Sequence, residues 1–180
     1  MMRSRDSSLD RLLSVSWEKA LANDLAAELE QFSGEKRTMV AEVRRFIAIK
    51  AHRDLLDRLR KARAGRTSFA ALRSVAIEMR QYAVERPAFW AAALRAPVTD
   101  CTEWRSADNQ IRDFMAELFV ECGVHGSGAD DASGMLKSLV RGFVLHEIMG
   151  SFSRVYSYEQ SYEKAIDVFI AGVQAVMTCR

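Results

Sequence analysis

Apolar residues recur at intervals of three and four along almost the whole 180-residue chain, and no stretch of useful length alternates apolar with polar. That spacing keeps one face of a helix apolar, whereas a half-buried strand needs every second residue, so the chain reads as all-α. Leu9, Leu12, Leu13, Trp17, Ala20, Leu21, Leu25 and Leu29 form the first stripe, which stops at Ser33 and Gly34. Met39, Val43, Phe46 and Ile47, then Leu55, Leu56 and Leu59, carry the period to Gly65 as one long helix or two short ones. Phe69, Leu72, Ala76, Met79 and Ala83 make the next face, with Thr67 or Ser68 to cap it. Pro87 ends that helix, because a residue before proline avoids the helical region, and it opens a short helix "PAFWAAALR".

"APVTDCTEW" reads as a connection, and Ile111, Phe114, Met115, Leu118, Phe119 and Cys122 as a helix closed by Gly123. "GVHGSGADDASG", with four glycines in twelve residues, is expected to be a loop. Two closing helices follow, Ala132 to Met149 and Tyr158 to Met177, with Ser157 placed to cap the second. About seven to eight helices are thus expected. Only two prolines interrupt a chain that is 49% hydrophobic and 28% charged, an ordinary balance for a folded globular domain.

The closing stretch "LKSLVRGFVLHEIMGSF" constrains the packing further. Leu136, Val140, Phe143 and Glu147 follow one edge, Leu139, Gly142, His146 and Met149 the next, and Leu145 and Ile148 close much of the remainder. A helix apolar nearly all round is buried on two sides, one of which calls for a second partner. Gly142 costs about 1 kcal/mol in a helix interior relative to alanine, which points to close approach of another backbone there. His146 and Glu147 lack the partner that zinc chemistry needs, since "HEIMG" has Gly150 where a second histidine would stand. They are read as a polar pair at a helix interface or as a fixing point for a ligand.

Other chemistry is sparse. Cys101, Cys122 and Cys179 are odd in number and form no C-x-x-C spacing, so neither a disulfide framework nor a metal site is expected. No nucleophile and base pair, phosphate loop or paired carboxylates are readable, and the chain is expected to be neither an enzyme nor a cofactor carrier. No apolar run approaches the roughly 18 residues that span a bilayer, and "MMRSRDSSLDRLL" has no apolar signal core, so a cytoplasmic protein without a membrane partner is expected. Charge is uneven: residues 36 to 66 hold eleven Lys or Arg against three acids, a local +8, while residues 67 to 180 hold eleven against fourteen, a net of −3. A basic segment of this kind serves phosphate backbones or is simply the solvated face of a helix.

The pattern "LVRGFVLHEIMGSFS" followed by "SYEQSYEKAIDVFIAGVQAV" resembles the closing helix pair of TetR-family transcription regulators, in the branch with a Trp-His-Gly-type signature. "LRSVAIEMRQYAVERPAFWAAAL" is similar to that branch's ligand-domain helix and its Tyr-x-x-Phe-Ala-x-x-x-Pro turn, here Tyr82, Ala83 and Pro87. Lys137 and Arg141 stand where the signature's Trp and His would be, and Gly142 is kept. The resemblance spans about residues 55 to 177. It implies a homodimer through a four-helix bundle of the closing pairs, with Gly142, His146, Met149, Tyr162, Phe169 and Val173 at the interface. It also implies a cavity for a small, mostly apolar effector, and Met79, Tyr82, Phe89, Trp90, Phe114, Leu118 and Phe143 are the side chains suited to line it.

Residues 1 to 54 form a divergent basic helical segment, and the domain proper is read as 55 to 180. The family's helix-turn-helix pattern is not readable in that segment; "MVAEVRRFIAIKAHRD" is an amphipathic basic helix, in which Arg44, Arg45, Lys50 and Arg53 are the residues for DNA contact. Two functions follow. Either the chain is a dimeric effector-sensing regulator that reads DNA through this segment, or it is a DNA-free sensing or heterodimerising module that titrates a full-length regulator.

Overall fold

The structure, a computed structural model, describes residues 40–93, 101–148 and 157–178. Every element within them is a helix: α1 (Val40–Arg63), α2 (Ser68–Glu85), α3 (Pro87–Ala93), α4 (Thr102–Glu121), α5 (Ser127–Ile148) and α6 (Tyr158–Thr178). The helix expected over Leu9 to Leu29 lies outside the described residues.

The basic segment after Val40 resolves into one helix. Ile47, Ala48, Ala51, His52, Leu55, Leu56 and Leu59 recur at three and four and are all buried, so a single continuous stripe packs α1 against the rest. It runs unbroken across the expected 54/55 boundary, because the stripe neither shifts phase nor meets a glycine until Gly65, which ends the helix at a φ of 71°. Ala51, before that boundary, packs in the same buried cluster as Leu55, Leu56 and Leu59.

α2 is the centre. Ala71, Leu72, Val75, Ala76, Met79, Tyr82 and Ala83 are buried, and the helix touches all five of the others. Three alanines on its inner faces let neighbouring helices come close. Thr67 occupies the expected cap position in an extended conformation, but its hydroxyl makes no capping bond. Ser68 enters the helix at a φ of 51°, an unusual left-handed setting for a residue with a side chain. At the other end the Arg86 N–H donates to the Tyr82 carbonyl, and Pro87 starts α3 as expected.

Two connections are shorter than the sequence suggests. Thr102, Glu103 and Trp104, read as part of a connection, form the first turn of α4, where Glu103 favours the positive end of the helix dipole. The glycine-rich stretch contracts to a turn at 123–126, with Gly123 and Gly126 at φ values of 83° and 60°, and α5 begins at Ser127. Ala129, Ala132 and Ser133 are buried there, and that burial offsets the helix cost of Gly128 and Gly134. Ser157 does cap α6: its Oγ accepts the Gln160 N–H at 3.3 Å and its carbonyl accepts the Ser161 N–H at 3.0 Å.

One cluster of buried residues, from Ala51 on α1 to Ile166 on α6, holds these helices together. Leu72 is fully enclosed in it. Leu72→Ala should cost about 2 to 5 kcal/mol of stability in urea denaturation, since the site is walled by helices on every side and cannot collapse around the gap.

Candidate functional site

The seven effector residues are brought together, but as packed core. Met79, Tyr82, Phe89, Trp90, Phe114 and Leu118 are all buried in one cluster, and Phe143 packs half-buried at its edge. Tyr82 donates its hydroxyl to the Ala51 carbonyl at 3.2 Å, and the Arg58 guanidinium lies over the ring at 5.4 Å. Arg58 itself is bonded to Glu78 and to Glu85 at 2.6 Å. Phe89 is covered by Arg86 at 4.3 Å, and Arg86 bonds Asp54 at 3.0 Å. Aromatic rings from α2, α3 and α4 thus lie inside, with Arg58 and Arg86 lying over Tyr82 and Phe89.

Open space is found elsewhere. A cleft of about 620 Å³ lies between the end of α1 and α4, lined by charged groups including Arg60, Arg63, Arg66, Asp113, Glu117 and Glu121. Phe114 is the one expected effector residue that reaches it. Arg63 stands over the Phe114 ring at 5.5 Å while bonding Glu121 and, at 3.4 Å, Glu117.

The expected interface residues divide. Gly142 faces open space, with nothing within 4 Å of where a Cβ would stand, and His146 is exposed. Phe169 and Val173 are half-buried, Phe169 sitting edge-on to Phe119 at 6.4 Å. Met149 lies outside the described residues. Tyr162 is only 1% exposed within the subunit and turns inward, because it shares the face of Ile166, one helical turn on. Its hydroxyl donates to the Ala76 carbonyl at 2.6 Å, and its ring meets the edge of Phe143 at 5.4 Å. Burial pushes this hydroxyl well above the ordinary phenolic range, against a smaller pull downward from Arg80.

The outward stripes are different ones. On α5, Met135, Ser138, Gly142 and Leu145 follow at three, four and three; Met135 is 65% exposed and Leu145 39%. On α6, Val168, Ala171, Gly172 and Ala175 share one face, spaced three, one and three, with Val168 73% exposed. Small residues, weak in hydropathy, make up most of this face, whereas the bulky apolar side chains that drew attention face the core.

Glu147 does not pair with His146. Its carboxylate takes two bonds from Arg80 on α2, from Nε at 3.0 Å and Nη2 at 2.6 Å, in a fork-to-fork geometry that is largely buried. The His146 carbonyl accepts a long bond from the Tyr158 hydroxyl at 3.5 Å.

On α1, Arg45 and Arg53 are exposed and Lys50 is half-buried; the side chain of Arg44 is outside the described residues. His52 faces inward, its Nδ1–H donating to the Ala48 carbonyl at 2.7 Å and its Nε2 lying 3.6 Å from Asp108. Trp104 meets it edge-on at 5.7 Å, and the Trp104 indole N–H is buried without a hydrogen-bond partner. Sequence spacing could not show this cluster, since Asp108 and Trp104 come from α4. Among the described residues, no group of three His, Cys, Asp or Glu side chains is placed to hold a metal ion, and no helix is long and apolar enough to cross a membrane.

A bundle of six described helices whose last pair leaves an apolar face uncovered agrees with one comparison. The family model described as the tetracyclin repressor-like C-terminal domain matches residues 72–169, from the second turn of α2 to the middle of α6. The match covers more than half of the chain, which belongs to this TetR-like C-terminal domain family. No curated protein matches it.

The inward setting of Tyr162 carries a pH dependence. Its contribution to stability is complete below the ordinary tyrosine pKa of about 10 and is lost as pH rises past it, because only the unfolded chain ionises readily there. Urea midpoints of the wild type should therefore fall more steeply above that pH than those of Tyr162→Phe; parallel curves would contradict the assignment.

Proposed function

We propose that the chain is a TetR-type transcriptional regulator that pairs with a second copy through α5 and α6 and responds to a small apolar effector. The observation that carries this reading is the uncovered stripe of apolar and small residues along both closing helices, Met135, Gly142 and Leu145 on one and Val168, Ala171, Gly172 and Ala175 on the other. Small residues permit close helix approach, and exposed Leu, Met and Val beside them supply apolar area to bury. Ile148, 44% exposed at the end of α5, extends the patch.

The effector is taken up among Met79, Tyr82, Phe89, Trp90, Phe114, Leu118 and Phe143. These side chains belong to or pack against one buried cluster, so a bound molecule takes the place of core contacts. DNA contact comes from the basic N-terminal segment, with the exposed Arg45 and Arg53 among its described residues. Arg53 lies on the solvent side of α1, away from the buried stripe of Ile47 to Leu59, and Arg45 is exposed near the start of the helix, so both can reach phosphate groups.

Gly142→Leu separates the interface from the fold. A side chain there meets nothing in its own subunit, and replacing a helical glycine favours the helix by up to about 1 kcal/mol. Urea stability of the subunit should hold or rise while sedimentation shows loss of the dimer. An unchanged dimer would place the contact elsewhere. Arg45→Glu with Arg53→Glu should reduce binding to genomic duplex fragments and flatten its salt dependence without affecting dimerisation. A dimeric wild type that binds no fragment at low salt would instead be a DNA-free partner of other regulators.

A further inference from the structure

Three helices meet at Tyr162. The residue belongs to α6, bonds the α2 carbonyl of Ala76 through its hydroxyl at 2.6 Å, and sets its ring against Phe143 of α5 at 5.4 Å. Arg80 of α2 lies over the same ring at 5.7 Å and sends both arms of its guanidinium to Glu147 of α5. Seven residues back on α2, Arg73 bonds Glu163 at 2.9 Å and Asp167 at 2.8 Å, both on α6. One face of α2 thus carries two arginines, one tied to each closing helix.

The acidic partners stand beside the exposed apolar residues. Glu147 precedes Ile148 and follows Leu145 by two, and Asp167 precedes Val168. The two ties differ in strength. Arg73 and its acids are between 38% and 55% exposed, a setting in which an ion pair contributes little. Arg80 and Glu147 are only 14% and 19% exposed, and their planar, two-bond geometry fixes direction as well as distance. The stronger tie therefore lies where the outer face of α5 ends.

We propose that Arg80 and Glu147, seated on Tyr162, are positioning residues for self-association: they hold α5 and α6 in the relative setting at which their outer faces match a second copy. The strength of the dimer then depends on a contact made wholly inside one subunit. This rests on the pairing of α5 and α6 proposed above.

The test is a cycle of Arg80→Lys, Glu147→Gln and the double variant in the full chain, with Tyr162→Phe as a second route that removes the bond to Ala76 and keeps the ring. Arg80→Lys keeps the charge and loses the fork; Glu147→Gln keeps the shape and loses the charge. Sedimentation equilibrium reads the dimer dissociation constant, and hydrogen exchange reads the amides from Phe143 to Glu147 at dilutions where subunits are separate. Each single variant should raise the dissociation constant about tenfold, the double variant no further, as for residues that act as one unit. Exchange at the end of α5 should quicken while overall helix content stays the same.

A dimeric wild type whose variants dissociate no more readily would overturn the inference and leave the dimer reading intact. Effects that simply multiply in the double variant would also overturn it, since the two residues would then act separately. A wild type that stays monomeric at every concentration would overturn the dimer reading, and the inference with it.

Discussion

The packing of all five other helices against α2 is the constraint on which the rest of the structure depends. Its inner faces carry Ala71, Ala76 and Ala83 between larger residues, so α1, α3, α4, α5 and α6 can all pack against it. The inner side of such a helix has few routes for polar groups, and the two buried tyrosine hydroxyls are satisfied by backbone: Tyr82 at Ala51 and Tyr162 at Ala76. Each bond is modest alone, but an unpaired hydroxyl at either place would cost more than the bond contributes. The two tyrosines therefore fix where α1 and α6 sit relative to α2.

Around that apolar centre, arginines do the orienting. Arg58 and Arg86 join α1 to α2 across the covers of Tyr82 and Phe89, and Arg73 and Arg80 join α2 to the closing pair. Such pairs add little net stability where water reaches them. Their directional bonds distinguish one helix register from its neighbours, which apolar packing alone does poorly. The largely enclosed Arg80–Glu147 pair lies deepest of these, next to the face through which we propose that two subunits meet.

Much of the fold was legible because burial and helical period coincide. The inner stripes of α1, α2, α4 and α6 are strings of large apolar residues at three and four, and Pro87 and Gly123 mark ends that their backbone chemistry dictates. Where local propensity opposed tertiary burial, the reading went astray. Gly128 and Gly134 suggested a loop, yet Ala129, Ala132 and Ser133 are drawn into a helix by the core. Thr102 to Trp104 were taken for a connection because the turn that starts α4 is polar outside and half-buried inside. The site was less legible. Tyr162, placed at the interface by the family resemblance, is buried within its own subunit, whereas the exposed face is built from residues such as Ala171 and Gly172 that carry weak hydropathy signals. Glu147 was read with its neighbour His146, and its real partner is 67 positions away on α2.

Membership of the TetR-like family and an uncovered face on its closing helices lead to the same central claim, that two copies meet through α5 and α6. Oxidative cross-linking tests it most directly. A cysteine placed at Val168 in a Cys179→Ser background stands on the exposed stripe, while one at Arg53 stands on the outer face of α1; Cys101 and Cys122 are buried and stay silent. Pairing through the closing helices predicts rapid, nearly complete disulfide-linked dimer from position 168 and little from position 53. Cross-linking from 53 with a monomeric product from 168 would contradict it.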